Sequence, residues 1–209
     1  MSYVYDVLII IIAFAIFGYL HSFLASLKVK RRLTEVAGNY IAFYRLIYNI
    51  ISLFSFYMLY EFVPHPRLSL IDLPYPFDLI ILLPQILSLI GLFWAGKYLH
   101  IISFIGIEQV IKFFEGTYNK DEMDEKIELR VDGPYKISRH PIYLFSILFL
   151  LFRPEMDLFY VVFLLCIISY FYIGSIYEEK KLIELFGDEY ISYQQRVGRI
   201  FPKLNFKKA

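Results

Sequence analysis

Apolar residues in this chain come in runs longer and less interrupted than the striped helices of a soluble core. Val7–Leu27 is 21 residues without a formal charge, broken by the imidazole of His21. Leu46–Tyr60 is 15 uncharged residues and continues to Val63 past Glu61. A helix crossing the bilayer core needs roughly 20 apolar residues. The first run therefore spans outright, and the second spans with Glu61 at the interface. Leu79–Gly96 is a third run, and Lys97 then leads into Tyr98–Ile107, which predicts a long, tilted or bent helix. Pro141–Phe152 is 12 residues, short for a full crossing, whereas Leu158–Tyr177 is 20 uncharged residues. R-P-E-M-D joins the two and reads as a turn, so the pair is a helical hairpin. The tail Glu178–Arg199 reads as a helix continuing from the last span, with Leu182, Ile183, Leu185 and Phe186 on its apolar side. The expected architecture is all-α: an integral membrane helical bundle of about five transmembrane helices, the last two forming a hairpin, with a cytosolic C-terminal helix. It forms one domain over residues 1–209, with N-terminal spans in 7–107 and a C-terminal half at 130–203.

Composition agrees. Hydrophobic residues make up 58% of the chain and charged ones 20%, with a mean hydropathy of +0.55. Soluble domains run at about 45–50% apolar, so a water-soluble fold and a disordered chain are both excluded. Cys166 stands alone, which excludes a disulfide scaffold. A net charge of +1 leaves no footprint for nucleic acid. The first run is long, lacks preceding basic residues and is followed by K-V-K-R-R, unlike a cleaved leader. Placing that basic loop inside puts 18 of the 21 Lys and Arg on the inner face. The expected topology is N-terminus outside, C-terminus in the cytoplasm. K-D-E-M-D-E-K (Lys120–Lys126) reads as a solvated turn or helix face.

Polar groups inside the spans are the next signal, because each is costly there unless paired. His21 precedes Lys28 by seven residues, roughly 10 Å into the membrane at the helical rise. Arg45, Asn49 and Ser52 share one helical face, with Asn49 about 6 Å deeper than Arg45, so the two helices carry polar groups at similar depth near the inner face. Gly18, Ser22, Ala25 and Ser26 form a small-residue face that permits close helix packing. His21, Arg45 and Asn49 are the candidate catalytic residues, with His21 the candidate base. His21 and Asn49 equally suit a structural role, tying two helices together.

Gly133–Tyr143 reads G-P-Y-K-I-S-R-H-P-I-Y. Gly-Pro makes a turn, and Pro141 holds His140 extended before opening a helix. Arg139 and His140 thus stand at a helix N-terminus, which favours anions. About 35 residues later the last span ends in Glu178 and Glu179. Two carboxylates opposite an Arg-His pair suit a zwitterionic ligand carrying an amine, a carboxylate and hydroxyls. A positive anchor on one helix and solvated acids on the other is the plainer alternative. Both groups sit at the membrane edge in this reading. Water there would solvate a lone partner, so removing Arg139 or Glu179 is expected to cost little stability.

These residues carry a resemblance. R-H-P-I-Y followed by E-E-K-K-L-I-E-L-F-G-D-E-Y-I-S-Y-Q-Q-R-V-G-R-I-F-P, over Gly133–Pro202, resembles the C-terminal half of the isoprenylcysteine carboxyl methyltransferase superfamily. Those are integral membrane enzymes using S-adenosyl-L-methionine. The resemblance implies that Tyr135, Arg139, His140, Pro141, Tyr143, Glu178 and Glu179 bind that cofactor, with no metal. H-S-F-L-A-S (His21–Ser26), Y-R-L-I-Y-N (Tyr44–Asn49) and F-I-G-I-E-Q-V (Phe104–Val110) are similar to the methanethiol S-methyltransferase and NnrU-like branch. Glu108 stands where that branch often has a basic residue. Gly174 stands where the eukaryotic carboxyl methyltransferases carry an Arg one turn before the acidic pair, and a buried carboxylate acceptor there would lack its counter-charge. A thiol needs none. The expectation is methyl transfer to the thiol sulfur of a small or lipophilic acceptor reached through membrane lipid. Prenylcysteine carboxyl or phospholipid amine transfer, an NADPH-dependent sterol-reductase-like enzyme, and a non-catalytic NnrU-like membrane protein are the alternatives.

Overall fold

The computed structural model describes residues 2–120 and 128–203. Asp121–Lys126 of the charged run lies outside the described residues. The described residues are all-α apart from one small strand pair, and the chain divides into two compact units. One comprises Met1–His65 with Leu99–Ile127, the other Pro66–Tyr98 with Glu128–Ala209.

In the first unit, α1 (Ser2–Ala25) is apolar on all sides, as suits a helix facing lipid rather than a soluble core. Most of its large side chains, such as Val4, Ile12 and Ile16, point outward, whereas Ile10 and Phe14 are buried. Ser26 then caps α2 (Leu27–Ala37), its hydroxyl accepting from the Val29 amide. Basic and apolar residues alternate along α2 with strong amphipathic character, and none of its side chains is buried. A short 3-10 turn, Gly38–Phe43, leads into α3 (Tyr44–Phe62), which packs on α1. Two short helices, α6 (Ile101–Ile105) and α7 (Ile107–Phe114), complete this unit. Gly106 links them in the left-handed region at φ 100°, and a Cβ there would meet the Leu46 amide nitrogen at 2.5 Å. Glycine is needed at this point both for the turn and for the close approach to α3.

The second unit carries β1 (Ser69–Asp72), α4 (Phe77–Ile80), α5 (Leu82–Gly96), a 3-10 turn (Gly133–Lys136), α8 (Pro141–Leu151), β2 (Glu155–Asp157), α9 (Leu158–Phe186) and α10 (Asp188–Arg196). α8 packs on both α5 and α9. Gly91 of α5 leaves room for the Phe145 ring of α8, which any Cβ would strike. Leu144, Ile147 and Ile200 form the local core, with Tyr143, Leu148, Ile168 and Phe171 packed around it. Asp157 caps α9, accepting from the Tyr160 amide at 2.8 Å. At 29 residues, α9 is about 44 Å long by its rise, longer than the roughly 30 Å hydrocarbon core. Gly187 at φ 53° ends it, and α10 follows at once.

Among the described residues, four segments are long and apolar enough to cross a membrane: Tyr3–Ala25, Leu27–Phe62, Phe77–Gly96 and Leu158–Phe186. This makes the chain a multi-pass membrane protein. The fourth expected span is shorter than that group, an 11-residue helix from Pro141 to Leu151. Three further details differ from expectation. The third span stops at Gly96, because Lys97–His100 leaves the helix before α6 begins, so Tyr98–Ile107 is no continuation of it. The expected turn at R-P-E-M-D contains β2, whose antiparallel partner β1 lies more than 80 residues earlier. The tail helix is two helices, broken at Gly187.

Gly106→Ala should destabilise the first unit, since it adds both a strained φ and a collision with α3, by about 1–3 kcal/mol. Thermal unfolding in detergent would register this as a lower Tm, while Gly96→Ala, with open space around its Cα, should leave Tm nearly unchanged.

Candidate functional site

The two charge pairs expected from the sequence do meet. Arg139 and His140 precede α8, held in place because a short parallel bridge joins Ser138 to Gly198 in the tail. The Arg139 amide donates to the Gly198 carbonyl at 3.0 Å and the His140 amide to the Arg199 carbonyl at 3.1 Å. The Ser138 hydroxyl donates to the Arg199 carbonyl. Gly198 has no Cβ, which would collide with the Phe201 carbonyl. α9 brings Glu178 and Glu179 to the same place.

Glu179 is the centre of the cluster, with a relative exposure of 2%. Arg139 Nη2 donates to its Oε2 at 3.1 Å, and Arg139 Nε lies 2.9 Å from Oε1. His140 Nε2 lies 3.2 Å from Oε1, Arg199 Nε lies 3.3 Å from Oε2, and the Gln194 amide donates to Oε2 at 2.8 Å. Arg139 Nη1 is fixed separately by the Gln194 carbonyl at 3.0 Å. Glu178 behaves differently. Its side chain is 51% exposed, 3.2 Å from His140 Nδ1, and accepts from the Tyr143 hydroxyl. The His140 and Tyr143 rings stack at 5.3 Å, and Tyr143 stacks on Phe171 at 4.4 Å.

Both nitrogens of His140 thus face carboxylates, which the imidazolium satisfies and neutral imidazole does not. Burial lowers the His140 pKa, but the hydrogen bonds and charges of Glu178 and Glu179 outweigh it and raise the value above the usual range. A raised folded-state pKa stabilises fully below the ordinary histidine range, and that stability is lost as pH rises through the raised value. Burial also raises the pKa of Tyr135, Tyr190 and Tyr193, keeping these phenols neutral donors. Tyr193 donates to the Tyr135 carbonyl at 2.6 Å and ties α10 to the turn before Arg139.

Burial of Glu179 corrects one expectation. Arg139 is almost as buried, so water cannot solvate it in the absence of Glu179, and this residue is structural as well as polar. Arg199, Gln194, Ser138 and Tyr172 were not singled out by the sequence. Arg199 counted there only among the cations of the tail, yet its guanidinium lies 5.4 Å from the Tyr172 ring centroid and beside Glu179. The G-R pair at Gly198 and Arg199 was the available signal, and it needed the bridge to Ser138 to acquire meaning.

His21, Arg45 and Asn49 fall in the first unit, each with a defined partner. His21 Nδ1 lies 3.0 Å from the Ser52 hydroxyl and Nε2 lies 2.8 Å from that of Tyr48. The ring also stacks on Phe17. The imidazole therefore joins α1 to α3. Asn49 donates to the carbonyls of Phe104 and Ile105, both at 3.0 Å, closing the C-terminal end of α6. Arg45 donates to the Ser103 carbonyl at 3.1 Å. Glu108 pairs with Lys112 one turn on at 2.6 Å, which, with its hydrogen bonds, lowers its pKa. No group of three or more His, Cys, Asp or Glu among the described residues is arranged to hold a metal.

Fold and site together define a multi-pass, all-α membrane protein with a buried carboxylate-guanidinium-imidazole cluster at the base of α8 and α9. The chain is similar to proteins named methanethiol S-methyltransferase. It is 36% identical over 120 residues to that of Pseudomonas deceptionensis, covering 54% of this chain and 44% of the relative. The match to that of Pseudomonas sp. (strain GM41(2012)) is 33% over 128 residues, 58% of this chain and 48% of the relative. Methanethiol S-methyltransferase 1 of Bradyrhizobium diazoefficiens is 43% identical over 68 residues, 32% of this chain and 24% of that protein. The chain spans less than half the length of these relatives. No family model matches, and no solved structure matches. The relatives carry the name of the branch that the motifs resemble, and the family resemblance is borne out.

Glu179→Gln should cost about 3–5 kcal/mol, because it leaves buried guanidinium charge without its partner. Glu178→Gln should cost well under that, since water reaches its side chain. Denaturation of both variants in the same detergent checks the contrast, and equal losses would mean that the exposed carboxylate is a structural anchor too.

Proposed function

We propose that this chain is a membrane-embedded methyltransferase that uses S-adenosyl-L-methionine and transfers the methyl group to a thiol sulfur of a small or lipophilic acceptor. The single observation that carries this reading is the meeting of Arg139-His140 with Glu178-Glu179, the motif residues by which the chain resembles that superfamily. The names of the relatives support the thiol.

The donor set fits this cofactor. Arg139, Arg199 and the His140 imidazolium outnumber the two carboxylates, leaving one positive charge for a ligand carboxylate. The Nε atoms of both guanidiniums are buried and make no aligned hydrogen bond among the described residues. Glu178 offers an accessible carboxylate to an ammonium group or to ribose hydroxyls, and the exposed Tyr172 offers a ring face to a base. S-adenosyl-L-methionine supplies an electrophilic methyl group on a sulfonium. The protein's part is to align the acceptor sulfur behind that carbon and keep water away. The nucleophile's proton must be lost, and a thiolate is already a strong nucleophile at modest cost. With Gly174 in place of an arginine, the stretch Leu158–Tyr177 of α9 holds no cation to serve as counter-charge for an acceptor carboxylate. The bias of Lys and Arg supports a cluster on the cytoplasmic side with the N-terminus outside.

Calorimetry in detergent should show S-adenosyl-L-methionine binding that S-adenosylhomocysteine competes away, and Glu178→Gln should weaken it while the protein stays folded. With radiolabelled cofactor, transfer to small thiols should exceed transfer to a prenylcysteine carboxylate or phosphatidylethanolamine. Binding of NADPH with no response to either adenosyl compound would overturn the reading. For orientation, a cysteine introduced near Arg67 should react with an impermeant label in intact cells, and one near Lys120 only after permeabilisation.

A further inference from the structure

The first unit holds a second polar site, independent of the carboxylate cluster. A small cavity of about 20 Å³ opens between α2, α3, α7 and the segment after α7. Lys30, Arg45, Gln109, Tyr44 and Tyr118 line it over a floor of Ile41 and Ala42, both buried. Several of these side chains are held in place. Arg45 is anchored through Nη1 to the Ser103 carbonyl, and Gln109 donates to the Ser103 hydroxyl at 3.3 Å. The Tyr44 hydroxyl is held by the Leu24 carbonyl at 2.6 Å. Of the four cations of α2, Lys28, Arg31 and Arg32 are exposed, whereas Lys30 is half-buried at this cavity.

From this arrangement we infer that the Lys30–Arg45 cavity is a binding site for the headgroup phosphate of a phospholipid. Two cations lining one cavity with a phenol beside them match a phosphate oxyanion. The volume accommodates roughly one oxygen-sized group. A phosphodiester therefore inserts a single non-bridging oxygen and keeps both ester arms at the mouth. A whole acceptor molecule does not enter. The surroundings select lipid over a soluble ester. α2 starts two residues after the apolar α1 ends, and α3, which contributes Arg45, is itself part of a span. Leu27, Leu33 and Val36 of α2 are exposed, as are Ile50, Leu53 and Phe54 of α3. Apolar surface beside a basic cavity is the pattern of an interfacial helix on phospholipid. The inference does not depend on methyl transfer.

The test is native mass spectrometry of the full chain released from nanodiscs containing phosphatidylglycerol and phosphatidylcholine. Wild type should retain phospholipid. Lys30→Gln should retain about tenfold less, the loss of one charge-assisted contact. Arg31→Gln removes the same charge from the exposed side of α2 and should retain wild-type amounts, while Lys30→Arg should restore binding. Tyr118→Phe, which removes only a hydroxyl, should weaken retention with the fold intact and serves if Lys30→Gln fails to fold. Equal losses in Lys30→Gln and Arg31→Gln would overturn the inference in favour of diffuse surface charge. So would displacement of the lipid by millimolar inorganic phosphate, which would make the cavity a site for free anions.

Discussion

A carboxylate with almost no access to water, Glu179, holds two guanidiniums and an imidazole, and the lower part of the second unit is organised around it. Burying an ion costs several kcal/mol, which mutual attraction offsets only when geometry is good and the remaining donors are satisfied. The chain draws the partners of this carboxylate from four separate segments, the turn before α8, the end of α9, α10 and the tail, and leaves the buried Nε donors of both guanidiniums without an aligned acceptor among the described residues. The parallel bridge between Ser138 and Gly198 brings Arg139 and Arg199 to one side chain. Backbone pairing and side-chain placement are therefore coupled.

The neighbouring carboxylate shows how one helical step separates two roles. Glu178 is adjacent in sequence, but rotation by about 100° along α9 turns it toward water. There it touches His140 and Tyr143 and keeps acceptor capacity for something else. Glu179 supplies rigidity, and Glu178 supplies an accessible group of fixed position. An exposed side chain is only as well placed as the residues that hold it.

The first unit solves a different problem. Its polar residues lie on helices whose other faces are apolar, and they are satisfied across helices rather than by water. His21 reaches Ser52 and Tyr48, Asn49 reaches the end of α6, and Arg45 reaches Ser103. Such contacts substitute for the hydrophobic driving force that is absent between helices in lipid. They also leave Arg45 anchored at its back, with Lys30 beside it.

The class of the molecule and the chemistry at its C-terminal end were legible without coordinates, because each depends on local information. A run such as Val7–Leu27 cannot be buried in a small soluble core, and Pro141 must open a helix with Arg139 and His140 before it. The charge pairing of R-H with E-E was legible for the same reason: two motifs of opposite sign flank one hairpin. Residues whose role depends on distant backbone were not legible. Arg199 and Gln194 acquire theirs only when the tail pairs with Ser138, and β1 finds β2 across more than 80 residues. Sequence also misjudged Glu179, whose place at a membrane edge suggested water. Tertiary structure alone decided that Arg139, Arg199, His140 and Gln194 would surround it, since burial is a property of what packs around a residue and not of the residue itself.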